Sequence, residues 1–137
     1  MNEIWGEYLV SDDDNLLQFE RIYELLSNTY WASTRSREVI QKSIYNSLCF
    51  GIYNRDLQIG FARCITDYSV IYYLADVIID EKYRGRGLGK LLLRCIVNHE
   101  TLAPLFGILN TNDAHELYKQ FGFTQDLDTS MNRVVKR

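Results

Sequence analysis

The sequence predicts a mixed α/β fold: a mostly antiparallel sheet flanked by helices, in one domain over residues 1–137. Three observations carry this. Two apolar runs, Cys49 to Tyr53 and Leu57 to Thr66, flank Asn54-Arg55-Asp56 and read as a β-hairpin. An apolar run from Tyr72 to Ile79 leads into Arg84-Gly85-Arg86-Gly87-Leu88-Gly89-Lys90 and then an amphipathic run, which is strand, glycine loop, helix. Leu16, Phe19, Tyr23, Leu26 and Tyr30 recur at helical spacing before any of these.

In chain order, Glu7 to Ser11 is expected as a first short strand. Ser11 to Asp14 supply capping oxygens and negative charge for a helix over 14–29, and a second helix fits 37–47. The hairpin follows, then a turn at Asp67-Tyr68-Ser69 and a strand over 71–79. Leu88, Leu91, Leu92, Cys95 and Ile96 mark one face of the helix after the glycine loop. Leu105 to Leu109 reads as a short apolar strand that needs burial to be stable, and Thr111 or Asn112 opens a helix to about Gln120, ended by Gly122. Phe123 to Leu127 and Met131 to Val135 are expected as two closing strands.

Fifteen basic and eighteen acidic side chains give a net charge of -3, which argues against general binding to nucleic acid or an anionic membrane. Cys49, Cys64 and Cys95 form no C-x-x-C pair, so neither zinc nor a disulfide framework is suggested. Reduced, packed thiols in the cytoplasm are the simplest reading. The acidic start, MNEIWGEYLVSDDD, does not read as a signal peptide, and no metal is expected.

The glycine loop has its own chemistry. Glycines let successive N–H groups converge on an anion, and the following helix adds unpaired N–H groups and the positive end of its dipole. Arg84, Arg86 and Lys90 add charge. A P-loop nucleotide site fits poorly, because no Gly-Lys-Ser/Thr stands at the required spacing.

Arg84-x-x-Gly87-x-Gly89 after a strand resembles the acyl-CoA loop of the GNAT superfamily of N-acetyltransferases. Ala114-x-x-Leu117-Tyr118-x-x-x-Gly122-Phe123 resembles that family's second segment, after the next strand. The order of elements is similar over essentially the whole chain. The resemblance implies a GNAT-like sheet, with acetyl-CoA as co-substrate and direct acetyl transfer to a primary amine of a small molecule or peptide. It implies that backbone N–H groups from Arg86 to Lys90, through Gly87, Leu88 and Gly89, hold the pyrophosphate, with Lys90, Arg94 or a loop arginine, Arg84 or Arg86, toward the 3′-phosphate. The strand edge from Asp76 through Val77 to Ile79 would pair with pantetheine, and Tyr118 would be the general acid for the departing thiolate. Thr111, where the family often has Asn, bonds pantetheine or caps a helix beside Ala114.

Some residues carry two readings. Tyr118 is the acid or a core aromatic. Asp76, in an apolar run beside Ala75 where some relatives have an acid, is a base, an amine anchor or a carboxylate satisfied in a bulge. His115 is a proton relay or a surface residue. Tyr30 and Trp31 wall an acceptor pocket or pack in the core, and Arg35 clamps an acceptor carboxylate or begins a solvated helix. Asp67 and Asp76 point instead to a cationic amine. The competing function is a catalytically idle acyl-CoA-binding module. A homodimer stays open.

Overall fold

The computed structural model describes residues 1–135. Its six strands lie in the order β1-β2-β3-β4-β5-β6: β1 Asn2–Trp5, β2 Tyr8–Ser11, β3 Leu48–Asn54, β4 Leu57–Thr66, β5 Ile71–Ile79 and β6 Phe106–Ile108. All neighbours pair antiparallel except β5 and β6, which are parallel. Four helices flank them: α1 Phe19–Ser27, α2 Arg37–Tyr45, α3 Leu88–Val97 and α4 His115–Lys119. The expected mixed, mostly antiparallel architecture is present.

The apolar residues of both sheet faces build two cores. On one face Phe50, Ile52, Ala62, Cys64 and Leu74 pack against Leu88, Leu92 and Ile96 of α3. On the other, Cys49, Phe61 and Ile78 meet Ile22 and Leu26 of α1 and Ile40 of α2. α2 starts on Ser36, whose hydroxyl accepts from the Val39 N–H.

The boundaries differ from expectation where side chains bond the backbone. The helix expected over 14–29 splits into a 3-10 turn, Asp14–Leu16, and α1. Gln18 lies between them, held to the β3–β4 hairpin by Gln58 Oε1 and the Asp56 carbonyl. The first strand is a hairpin, β1–β2, turned at Gly6 with φ +62°. The last helix begins at His115 rather than Thr111 or Asn112.

The two closing strands, 123–127 and 131–135, are absent. Leu127, Met131 and Val134 lie exposed, and Asp126 takes hydrogen bonds from the Asp128 N–H and Thr129 hydroxyl, which makes a turn. A short segment with a few apolar residues forms a strand only beside a partner.

One irregularity sets up the site. β4 and β5 slip register between Phe61 and Arg63, and Asp76 adopts φ +57° opposite the slip. Tyr72 and Leu74 pack toward α3, while Ile78 packs toward α1 and α2. An inserted residue exchanges the faces of all that follow it. Asp76 thereby joins the α1–α2 face, beside Arg63 of β4 and Arg35 of the α1–α2 connection.

Candidate active site

β5 pairs with β6 only from Ile71 to Tyr73, so the β5 edge from Leu74 to Ile79 has no strand on that side. Asn110 donates to the Tyr73 hydroxyl at 2.9 Å and fixes the point of divergence. The opening is a cleft of about 920 Å³, bounded by β5, the glycine loop, the segment before α4 and the α1–α2 connection. Its size lies in the upper part of the range of small-molecule sites, roughly 300–1,000 Å³.

At one end stand Gly85 and Gly87, both at φ +79°. Gly87 caps α3, and Leu91 N–H is the first to bond back to its carbonyl. The N–H groups of Leu88, Gly89 and Lys90 are thus left free of helix partners. Arg84 donates to the Ile79 carbonyl, and Lys90 is exposed on the rim. This cradle fits a diphosphate: free amides, a helix start and two cations.

On the opposite wall, Thr111 accepts from the Ala114 N–H at 3.1 Å and caps the approach to α4. Tyr118 is half-buried, edge-on to Phe123 with centroids 6.1 Å apart, and borders the cleft. Burial, with Asp113 nearby, raises its phenol above the usual range, so it keeps its proton at neutral pH.

At the far end Asp76 Oδ2 accepts from Arg63 Nε at 2.9 Å and from Arg35 Nη1 at 2.8 Å, with only 2% of the side chain exposed. Arg63 also donates to Ser47 Oγ. Tyr30 and Trp31 stand beside Arg35, rings edge-to-face at 5.1 Å. Trp31 is 39% exposed and is a wall of the cleft rather than a core residue, and Arg35 is ion-paired rather than solvated at a helix start.

Asp76, Val77, Ile79, Arg84, Gly87, Leu88, Gly89, Lys90, Thr111, Ala114, Tyr118, Trp31 and Arg35 therefore all border one cleft. Arg86 does not: its guanidinium donates to the Tyr8 hydroxyl at 3.0 Å and lies over the Tyr83 ring, because the turn at Gly85 and Gly87 sends it toward β2. Arg94 reaches Glu3 instead. His115 borders an adjoining cavity of about 490 Å³ between β6 and the C-terminal segment, which shares Asn110, Thr111 and Tyr118 with the cleft. Asp67 is turned to the N–H groups of Ser69, Val70 and Ile71, outside the cleft. Sequence reasoning missed Arg63, Tyr73 and Asn110. A lone arginine inside the apolar run Ile59 to Ile65 was the available signal for the first, since a buried charge needs a partner.

The sequence profile of the acetyltransferase (GNAT) domain matches residues 45–125. A candidate acetyltransferase of Gibberella zeae is 31% identical over 111 residues, covering 66% of this chain and 63% of that protein, so this chain spans less than two-thirds of that relative. Among solved structures, a candidate GNAT-family acetyltransferase from Xanthomonas campestris pv. campestris is similar at TM-score 0.89 and 39% identity, over 93% of both chains. A GNAT-family acetyltransferase from Elizabethkingia anophelis, solved with acetyl-CoA bound, has a similar fold at TM-score 0.67 and 15% identity, over 88% of this chain and 78% of that one.

Proposed function

Because the chain belongs to the GNAT family of acetyltransferases, we propose that it moves an acetyl group from acetyl-CoA to a primary amine of a small molecule or peptide by direct attack. One observation carries the reading: the unpaired half of β5, the glycine-loop start of α3 and the Tyr118 phenol border the same cleft. The similar fold solved with acetyl-CoA supports the choice of coenzyme.

When bound, the coenzyme supplies an acetyl thioester and a thiolate leaving group. The free amides of Leu88, Gly89 and Lys90 hold its diphosphate, aided by the charges of Arg84 and Lys90. The β5 edge through Val77 and Ile79 offers backbone groups to the pantetheine amides, with Thr111 and Ala114 closing the other side. A β5 N–H polarises the thioester carbonyl. The amine nitrogen forms the new C–N bond as the C–S bond breaks. The amine's proton passes to water in the open cleft, and Tyr118 gives its proton to sulfur and regains one from solvent.

Asp76 acts through Arg35 in this scheme rather than as the base, because its carboxylate is ion-paired with two guanidinium groups and its side chain is only 2% exposed. No cysteine borders the cleft, which suits direct transfer over a thiol acyl-enzyme. The free thiols Cys49, Cys64 and Cys95 suit a reducing cytoplasm.

Tyr118→Phe tests the acid. Turnover should fall by about 10²–10⁴-fold, the usual contribution of a positioned acid, with the dissociation constant for CoA within about twofold of the parent. Unchanged turnover would remove Tyr118 from the chemistry. The idle-module reading draws on the same occupied Oδ2, and release of CoA thiol across an amine panel separates the two.

A further inference from the structure

The far end of the cleft holds charge that neither coenzyme binding nor acid catalysis uses. We infer that the acceptor is an aromatic or large apolar α-amino acid, with Arg35 binding its carboxylate and the Tyr30–Trp31 pair packing its side chain. The inference rests on the acetyl-transfer reading and narrows it.

Two sequence signals had pointed to opposite acceptors, and the structure separates them. Of the carboxylates that could draw a purely cationic amine, Asp67 and Asp76 are otherwise engaged, and Asp113 stands on the Thr111–Tyr118 wall of the cleft. Asp67 is folded into its own turn. Asp76 is almost fully covered and accepts from two arginines on one oxygen. Arg35, Arg63 and Asp76 together leave one positive charge at this end of the cleft. An amine with no anion meets that charge unpaired, whereas an amino acid complements it.

Arg35 is the arginine able to act on a ligand. Arg63 is covered and spends Nε on Asp76 and Nη1 on Ser47. Arg35 spends only Nη1, its side chain is 28% exposed, and among the described residues its other guanidinium N–H groups have no acceptor. A guanidinium held at one corner keeps a planar pair of donors for a carboxylate. Asp76 is thus a positioning residue, aimed at Arg35 by the bulge that gives it φ +57°.

The wall beside Arg35 is preorganised. Thr29 is buried, donates to the Leu26 carbonyl and accepts from the Ala32 N–H, and Ala32 is buried in turn. These bonds bracket Tyr30 and Trp31 and leave their faces to the cleft, Tyr30 being 64% exposed. Two edge-to-face rings in water gain by covering an aromatic or aliphatic side chain.

The test compares N-acetyl-L-phenylalanine with N-acetylphenethylamine, which differ only in the carboxylate. Both are titrated calorimetrically into the CoA-saturated protein, with tryptophan fluorescence as a second readout of the Trp31 wall. The acid should bind at least tenfold more tightly. Arg35→Gln should reduce that ratio below threefold, and Arg35→Lys should fall between. Steady-state kcat/KM should favour phenylalanine over phenylalaninamide in the same way. Equal or weaker binding of the acid, a ratio unmoved by Arg35→Gln in a folded variant, or no binding of either ligand to CoA-loaded protein would overturn the acceptor assignment and leave the coenzyme reading standing. Absence of CoA binding would overturn both.

Discussion

Replacing Asp76 with Asn isolates the charge that holds two arginines together. Asn tolerates φ +57° as Asp does and keeps a side-chain oxygen, so the bulge survives and the carboxylate charge alone is removed. Arg63, whose side chain is 11% exposed, then loses its ion pair and keeps only Ser47. Stripping one partner from a buried pair costs about 3–5 kcal/mol. Arg35 can turn into the cleft and recover water, so the lower end, about 3 kcal/mol, is expected. For 137 residues the unfolding entropy is about 0.3 kcal/mol/K, so the melting temperature should fall by roughly 10 °C. Calorimetric melts of the parent and Asp76→Asn measure this. Arg63→Met added to Asp76→Asn should restore at least 1 kcal/mol, because it removes the orphaned charge. A fall under about 3 °C, with no recovery in the double variant, would refute the reasoning that this cluster is a buried ion pair.

Three further outcomes follow from the same structure. Gly87→Val forces a β-branched residue to φ +79° with only the Trp5 ring nearby, so backbone strain of about 1–2 kcal/mol dominates; the melt should drop several degrees and CoA affinity at least tenfold by calorimetry. Tyr53→Phe removes a buried hydroxyl that has no hydrogen-bond partner among the described residues, and chemical denaturation should show it about 1 kcal/mol more stable. Burial pushes the Cys49 and Cys64 thiols from 9 up to about 12. The folded state therefore holds those protons more tightly than the unfolded chain: their contribution is complete below pH 9 and drains away as pH rises toward 12. Denaturation at pH 8, 9.5 and 11 should give a loss of about 1.5 kcal/mol for the two thiols over the first interval and a steeper one, about 2.5 kcal/mol per pH unit, over the second.

The elements that the sequence made legible are those whose pattern and partner agree. α3 announces itself through its apolar face and the glycines before it, and the β3–β4 hairpin through two apolar runs around a short turn. β1 gave no such signal, because Ile4 and Trp5 are exposed and its stability comes from pairing with β2. The segment 123–135 carried the opposite error: Phe123 to Leu127 and Met131 to Val135 read as strands where the fold supplies no partner. At the site, backbone motifs were readable and side-chain destinations were not. Arg86 and Arg84 are two residues apart in one loop, yet two positive-φ glycines send one to Tyr8 and leave the other on the cleft. Asp76 and Arg63 each broke an apolar run, and only pairing the two anomalies would have found the ion cluster.

The cleft exists because β6 is short and β5 is irregular, and the two features act on opposite ends. β6 provides three ladder positions, ending where Ile108 faces Tyr73. A β6 continued along the β5 edge to Val77 and Ile79 would satisfy the very backbone groups that the proposed pantetheine contact needs, so a longer β6 would stabilise the sheet and fill the coenzyme's place. The bulge at Asp76 follows immediately on the same strand. Without it Asp76 would point toward Leu88 and Leu92, an unpaired carboxylate in the apolar α3-side core. With it, the carboxylate lies among arginines and fixes Arg35 at the acceptor end. Strain of about 1 kcal/mol at a positive-φ aspartate is small beside the cost of burying that charge alone. The same strand thus leaves its edge open for one substrate and orients, through one misregistered residue, the side chain proposed to select the other.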